Sequence, residues 1–181
     1  MIITISGDPG SGKSTVAKAI AEKLKLKHFS AGDFMRELAA ERKMTILELT
    51  QKAEKDQSID KEIDERTKKL AEQDNFIIDS RLAWYFIPKS LKIYLKCSAD
   101  EAAKRVFAQK RGGIEAENIS LEQTKANIIN REQSEIKRYK KYYGVDFKKE
   151  ENYDFVLDTT KLTIPEAIDE VLEFVESKQV Q

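Results

Sequence analysis

Short apolar, β-branched runs alternate along this chain with longer stretches of helical period. Met1-Ile2-Ile3-Thr4-Ile5, Asn75-Phe76-Ile77-Ile78 and Ile93-Tyr94-Leu95 are the clearest runs. Strands are predicted over 2–6, 27–30, 75–79, 91–96 and 153–158, with helices between them. That order is the βαβ pattern of a five-stranded parallel sheet covered by helices, and it predicts an α/β fold. Thr45…Glu48, Ser98…Glu101, Ser120…Gln123 and Thr163…Glu166 fit the capping-box spacing and mark helix starts.

The spacing between strands is uneven. Residues 33–73 hold three predicted helices, Asp33–Arg42, Thr45–Ala53 and Ser58–Gln73, where a simple crossover needs one. This segment reads as a helical insertion. Residues 98–143 read as two long helices split by Arg111-Gly112-Gly113-Ile114, whose paired glycines suit a hinge or mobile lid. Gly144 follows the second helix as a C-cap. No repeat or low-complexity linker divides the chain, so residues 1–181 read as one domain.

Composition narrows the possibilities. The 181 residues suffice for one core, and 32 basic residues balance 32 acidic ones. A net charge of zero provides no bulk attraction to nucleic acid or an anionic membrane. No run approaches the ~20 apolar residues of a membrane span, and no basic stretch precedes an apolar run at the N-terminus. A cytoplasmic protein is expected, monomeric, with no nucleic-acid or membrane partner. The single cysteine, Cys97, excludes an internal disulfide and reads as a buried thiol at a strand end. The single histidine, His28, opens a strand and is assigned a packing role.

The chemistry begins at Gly7-Asp8-Pro9-Gly10-Ser11-Gly12-Lys13-Ser14, followed by Thr15. This G-x-x-x-x-G-K-S run sits between a strand and a helix, as a P-loop does. Its glycines let successive N–H groups turn toward a phosphate, and the helix N-terminus adds partial positive charge. Lys13 is placed to reach the β/γ-phosphates of ATP and Ser14 to hold Mg2+. The alternative, an ordinary Gly-rich turn, explains neither the spacing nor the context.

Other candidates converge on the same edge of the sheet. Asp79 ends a strand beside the loop and suits the Mg2+-side carboxylate, acting through water; a helix cap or loop acid is its alternative. Arg81 follows it. Ser30, Gly32 and Asp33 close the second strand, and Arg36 lies one turn further on. Arg36 and Arg81 suit a bidentate clamp on an acceptor phosphate. At ~100° per residue, Arg131, Glu135 and Arg138 fall within about 60° of one another. Ile129, Ile136 and Tyr143 take the opposite face. Glu135 is placed to hold both guanidinium groups, the alternative being a solvated salt-bridge ladder. Arg105 and Arg111 flank the glycine hinge and are candidates for contact with the donor nucleotide.

A P-loop, arginines from several segments and two insertions match the needs of phosphoryl transfer: in-line positioning, charge stabilisation and exclusion of water. Asp33 and Asp79 are the only acids near the loop that could act as a base. An acceptor that is itself a phosphate needs none.

The chain resembles the short, archaeal-type cytidylate kinases among the P-loop nucleoside monophosphate kinases. The motifs are the P-loop, Ser30-Ala31-Gly32-Asp33 with Arg36, Asp60…Asp64-x-Arg66, Asp79-Ser80-Arg81-Leu82-Ala83-Trp84, Arg131-Glu132…Glu135…Arg138-Tyr139 and Tyr153-Asp154…Leu157-Asp158-Thr159. The resemblance implies a P-loop NTPase fold of three α/β/α layers and ATP-dependent phosphorylation of CMP, and of dCMP, with Mg2+. It implies that residues 34–73 bind the acceptor and that 111–118 form a short lid. Ser30, Arg36 and Arg81 would then touch that acceptor, Arg131 and Arg138 would bridge the two nucleotides, and Asp64 and Arg66 would read the cytosine edge. Relatives often carry Glu-Gly-Arg in place of Asp79-Ser80-Arg81, and some carry threonine in place of Lys13. A kinase for AMP, UMP or another small metabolite remains an alternative, as does a P-loop ATPase acting on a macromolecule.

Overall fold

The computed structural model describes residues 1–108 and 120–179. Five strands, β1 (Ile2–Gly7), β2 (Lys27–Ser30), β3 (Phe76–Asp79), β4 (Leu91–Lys96) and β5 (Phe155–Asp158), form one parallel sheet in the order β2-β3-β1-β4-β5. The central strand β1 is buried on both faces because helices cover both.

On one face, Ile3, Ile5, Ile77, Ile93 and Leu95 bury against Val16, Ala17 and Ile20 of α1 (Lys13–Leu24) and Ala167, Val171 and Val175 of α8 (Ile164–Gln179). On the other, Ile2, Phe76 and Ile78 meet Leu70 of α4 (Gln57–Leu70) and Ala83 of α5 (Ala83–Phe86). Tyr94 packs there with Phe147 and with Ile136 and Tyr139 of α7 (Leu121–Tyr143). Each fully buried Ile or Phe contributes ~1.5–3 kcal/mol of transfer free energy, so the pattern of these residues fixes which sheet face each helix covers.

The insertion is helical as expected: α2 (Ala31–Glu41), α3 (Ile46–Ala53) and α4 enclose a small core of their own, with Leu38, Ala39, Leu49, Ala53, Ile59 and Ile63. Thr45–Glu48 forms a full capping box and Gly144 caps α7 with φ +70°. At Ser98 and Ser120 only half of the box forms: Glu101 turns to Arg105, and Gln123 to Asn127.

Boundaries shift where local hydrogen bonds compete with the sheet. β3 starts at Phe76 because Asn75 adopts φ +59°. β5 starts at Phe155 because a 3-10 turn at Glu150–Asn152 precedes it and the Asp154 carboxylate accepts from the Lys92 N–H. The last insertion helix stops at Leu70, short of Gln73, and the four-residue α5 had no sequence signal. The α6 helix (Ala99–Ala108) precedes the 111–118 segment expected as a lid, which lies outside the described residues along with Arg111. No helix among the described residues is long and apolar enough to cross a membrane.

Candidate active site

The loop between β1 and α1 is pressed against its surroundings. A Cβ at Gly7 would lie 2.2 Å from the Leu95 carbonyl oxygen, and one at Gly10, where φ is +69°, would lie 2.7 Å from Ala102 Cα. Only glycine fits either place. Asp8 anchors the loop with its side chain: Oδ1 accepts from Tyr94 Oη at 2.6 Å and Oδ2 from the Cys97 N–H at 2.9 Å. Lys148 Nζ stands 3.1 Å from Asp8 Oδ1 and 2.9 Å from Glu132 Oε1, joining loop to α7. Burial pushes the Asp8 pKa up, but these contacts outweigh it and hold the carboxyl below its ordinary value. Pro9 lines a cavity of about 120 Å³ with Cys97, Ala102 and Ile129. Among the described residues the buried Ser11 Oγ has no hydrogen-bond partner, while Thr15 is exposed on the first turn of α1.

Lys13 Nζ donates to the Asp8 carbonyl at 2.6 Å. Its pKa falls from 10.5 to about 7, through burial first and Arg81 second, against the opposing pull of Asp79, Asp8 and Glu135. The ammonium is thus held where an anion would restore its charge.

Asp79 is the junction of the site. Its Oδ2 accepts from Ser14 Oγ at 2.7 Å and from Ser30 Oγ at 2.9 Å, and its Oδ1 lies 2.7 Å from His28 Nε2. Ser14 follows the loop at the start of α1 and Ser30 ends β2, so one carboxylate oxygen ties the loop to that strand edge. Because Ser14 gives its proton to Asp79, the hydroxyl lone pairs stay available to a cation. A hydroxyl beside a carboxylate is an all-oxygen donor set that suits Mg2+ shared with nucleotide phosphates. No cluster of three His, Cys, Asp or Glu residues among the described residues could hold a metal by itself.

The α7 face forms with one exchange of partners. Glu135 meets Arg131 at 3.4 Å, as expected, but its second partner is Arg81, whose Nε lies 2.9 Å from Oε2 without hydrogen-bond alignment. Arg138 instead reaches α4, where Asp60 accepts from Nε at 2.9 Å and from Nη2 at 3.4 Å. The expectation that Glu135 holds Arg138 is corrected: an acid on the insertion lies within reach, and a bidentate pair is the stronger contact. Both side chains of that pair are 5% exposed. Burial raises the Asp60 pKa despite the guanidinium. One turn on, Asp64 accepts from the Tyr143 hydroxyl, and burial lifts its pKa to about 6. Arg138 also lines a cleft of about 360 Å³ with Glu54, Ser134, Lys137 and Tyr142.

Arg36 pairs with Asp33 and lies alongside Gly32, where a Cβ would come 3.5 Å from its Nη1. Arg66 points to Glu37, Glu41 and Glu62, away from Asp64. Arg105 is fully engaged: it donates to the carbonyls of Thr159 at 2.7 Å and of Gly10, Thr160 and Leu162 at 3.3–3.4 Å, tying the loop to the segment after β5. Sequence reasoning missed His28 as a partner of Asp79, named Asp60 only within a family motif, placed Tyr143 only on the packing face of α7, and gave Lys148 no role. The Asp60–Asp64 spacing of four beside Ile59 and Ile63, which puts both acids on the buried side of α4, was the one available signal.

A parallel sheet with a P-loop at its central strand and a carboxylate on the neighbouring strand tip defines the class of P-loop phosphate-binding α/β proteins. Solved structures share this fold: a shikimate kinase from Bacteroides thetaiotaomicron has a TM-score of 0.67 at 15% identity, covering 97% of this chain and 98% of that one. An uncharacterized protein from Eubacterium ventriosum reaches 0.72 at 20% identity, over 98% and 99%. The chain belongs to the cytidylate kinase-like family, whose model matches residues 2–161. Cytidylate kinase from Methanocella arvoryzae is 43% identical over 162 residues, 89% of each chain. Cytidylate kinase from Methanocaldococcus jannaschii is 41% identical over 166 residues, again 89% of each.

Proposed function

We propose that this chain transfers the γ-phosphoryl group of ATP directly to CMP, giving CDP and ADP, with dCMP as a second acceptor and Mg2+ bound at Ser14 and Asp79. The observation that carries this reading is Asp79, which receives Ser14 from the donor loop and Ser30 from the acceptor strand on one oxygen. A hydrolase acting on ATP alone has no need of that second half. The whole-length relatives that bear the name cytidylate kinase support CMP as the acceptor.

In this mechanism the N–H groups of Gly10, Gly12, Lys13 and Ser14 cradle the donor phosphates and Lys13 follows the charge on the β/γ oxygens. Magnesium, when bound, would neutralise charge on those oxygens. Arg36 and Arg81 hold the acceptor phosphate, and Arg131, held by Glu135, lies between the two nucleotides. An acceptor oxygen attacks the γ-phosphorus in line, and the bond to the ADP oxygen breaks with its electron pair leaving on ADP. No general base is required, in keeping with Asp33 being paired to Arg36 and Asp79 having three partners. Asp64 accepts from the exocyclic amine of cytosine, a group uracil lacks, while Arg138, held by Asp60, joins Arg131 between the two nucleotides. Arg105 acts on ATP through the loops it ties. The protein acts as a cytoplasmic monomer on small molecules.

The test is a panel of CMP, dCMP, UMP, AMP and shikimate with ATP and Mg2+. Preferred turnover of CMP is expected; turnover of AMP or shikimate with none of CMP overturns the assignment.

A further inference from the structure

His28 is the one histidine, and packing does not account for where it points. It sits on edge strand β2 in register with Ile77 of β3, while Ser30 is in register with Asp79. Two residues apart, His28 and Ser30 share a sheet face. Phe29, between them, does the packing on the opposite face, edge-on to Phe76 at 5.7 Å. His28 Nε2 stops 2.7 Å from Asp79 Oδ1, with the two side chains 16% and 6% exposed. An ionised carboxylate only accepts, so Nε2 carries the hydrogen.

The consequence lies in how Asp79 is aimed. Ser14 and Ser30 both bind Oδ2. Rotation about the last torsion of an aspartate, which is broad, moves both oxygens together, and the two serines restrain it from the Oδ2 side only. A third donor on Oδ1 fixes the plane. We infer that His28 is a positioning residue that aims Asp79 at the cation held beside Ser14. This rests on the reading of Ser14 and Asp79 as the Mg2+ side of the site. Loss of a hydrogen bond that orients a metal-side group costs typically 10–100-fold in metal affinity.

The test is Mn2+ binding to the whole protein with a non-hydrolysable ATP analogue, followed by electron paramagnetic resonance. Wild type is compared with His28→Leu, His28→Gln and Asp79→Asn. His28→Leu removes the donor and should weaken Mn2+ about 10-fold or more; His28→Gln returns an N–H at similar reach and should recover to within about threefold. In turnover, the half-saturating Mg2+ concentration should rise by a larger factor than kcat or the KM for CMP changes. If His28→Leu does not fold, His28→Asn, too short to reach Oδ1, takes its place. Weak Mn2+ binding in Asp79→Asn with unchanged binding in His28→Leu overturns this inference alone. Unchanged binding in Asp79→Asn overturns the metal reading and the inference with it.

Discussion

Nucleotide binding should take up nearly one proton at pH 8. Without a phosphate, the enclosed Lys13 ammonium titrates at about 7, lowered by burial and by Arg81. At pH 8, one unit higher, about nine-tenths of Lys13 molecules are neutral by that value. A triphosphate in the loop supplies the missing anion and draws the proton back. Isothermal titration of the ATP analogue in buffers of different ionisation enthalpy reads this number as a slope, expected near ~0.9 at pH 8, where the triphosphate is itself ionised. Lys13→Met should abolish the slope and lower kcat about 10³-fold, as loss of a transition-state donor does. The sign carries over to stability. The folded value lies below the unfolded 10.5, so the unfolded chain binds more protons between pH 7 and 10.5 and the nucleotide-free protein gains stability from this group as pH rises. A slope near zero in the wild type at pH 8 refutes the enclosure of Lys13.

The Arg138–Asp60 pair is buried on both sides. Asp60→Asn should therefore cost about 3–5 kcal/mol in urea denaturation, with Asp60→Leu/Arg138→Met recovering most of it; a single-variant cost under about 1 kcal/mol contradicts the pairing. Asp64, with its pKa lifted to about 6, is ionised at a cost above that pH. Its folded value exceeds the unfolded one, so this destabilisation sets in as pH rises from about 4 to 6. Asp64→Asn should then gain up to about 3 kcal/mol at pH 8 while raising the KM for CMP. A variant that is both less stable and unchanged in KM rules out that role.

The strand–helix order, the insertion and the loop were legible because each rests on local patterning: β-branched runs, capping residues, glycines at fixed spacing. The P-loop was legible for the same reason, since Gly7–Ser14 is contiguous. Partners across the sheet were not. Asp79 could be named from a strand end and Ser14 from the loop motif, but that His28 shares a sheet face with Asp79 depends on the β2–β3 register, which no single strand encodes. Arg138 was placed on the right face of α7 and given the wrong partner, because the approach of α4 is set by tertiary packing. Arg105, read as reaching the donor nucleotide, ties loops together through carbonyls that carry no side-chain signal.

The central claim is that the loop and the acceptor strand serve one transfer. It is tested most directly with γ-labelled ATP, comparing label in CDP with label in inorganic phosphate, with and without CMP. If loop and strand serve one transfer, ADP release depends on CMP and the label appears in CDP, one for each ATP consumed. ATP hydrolysis that is indifferent to CMP, with the label in inorganic phosphate, would contradict it.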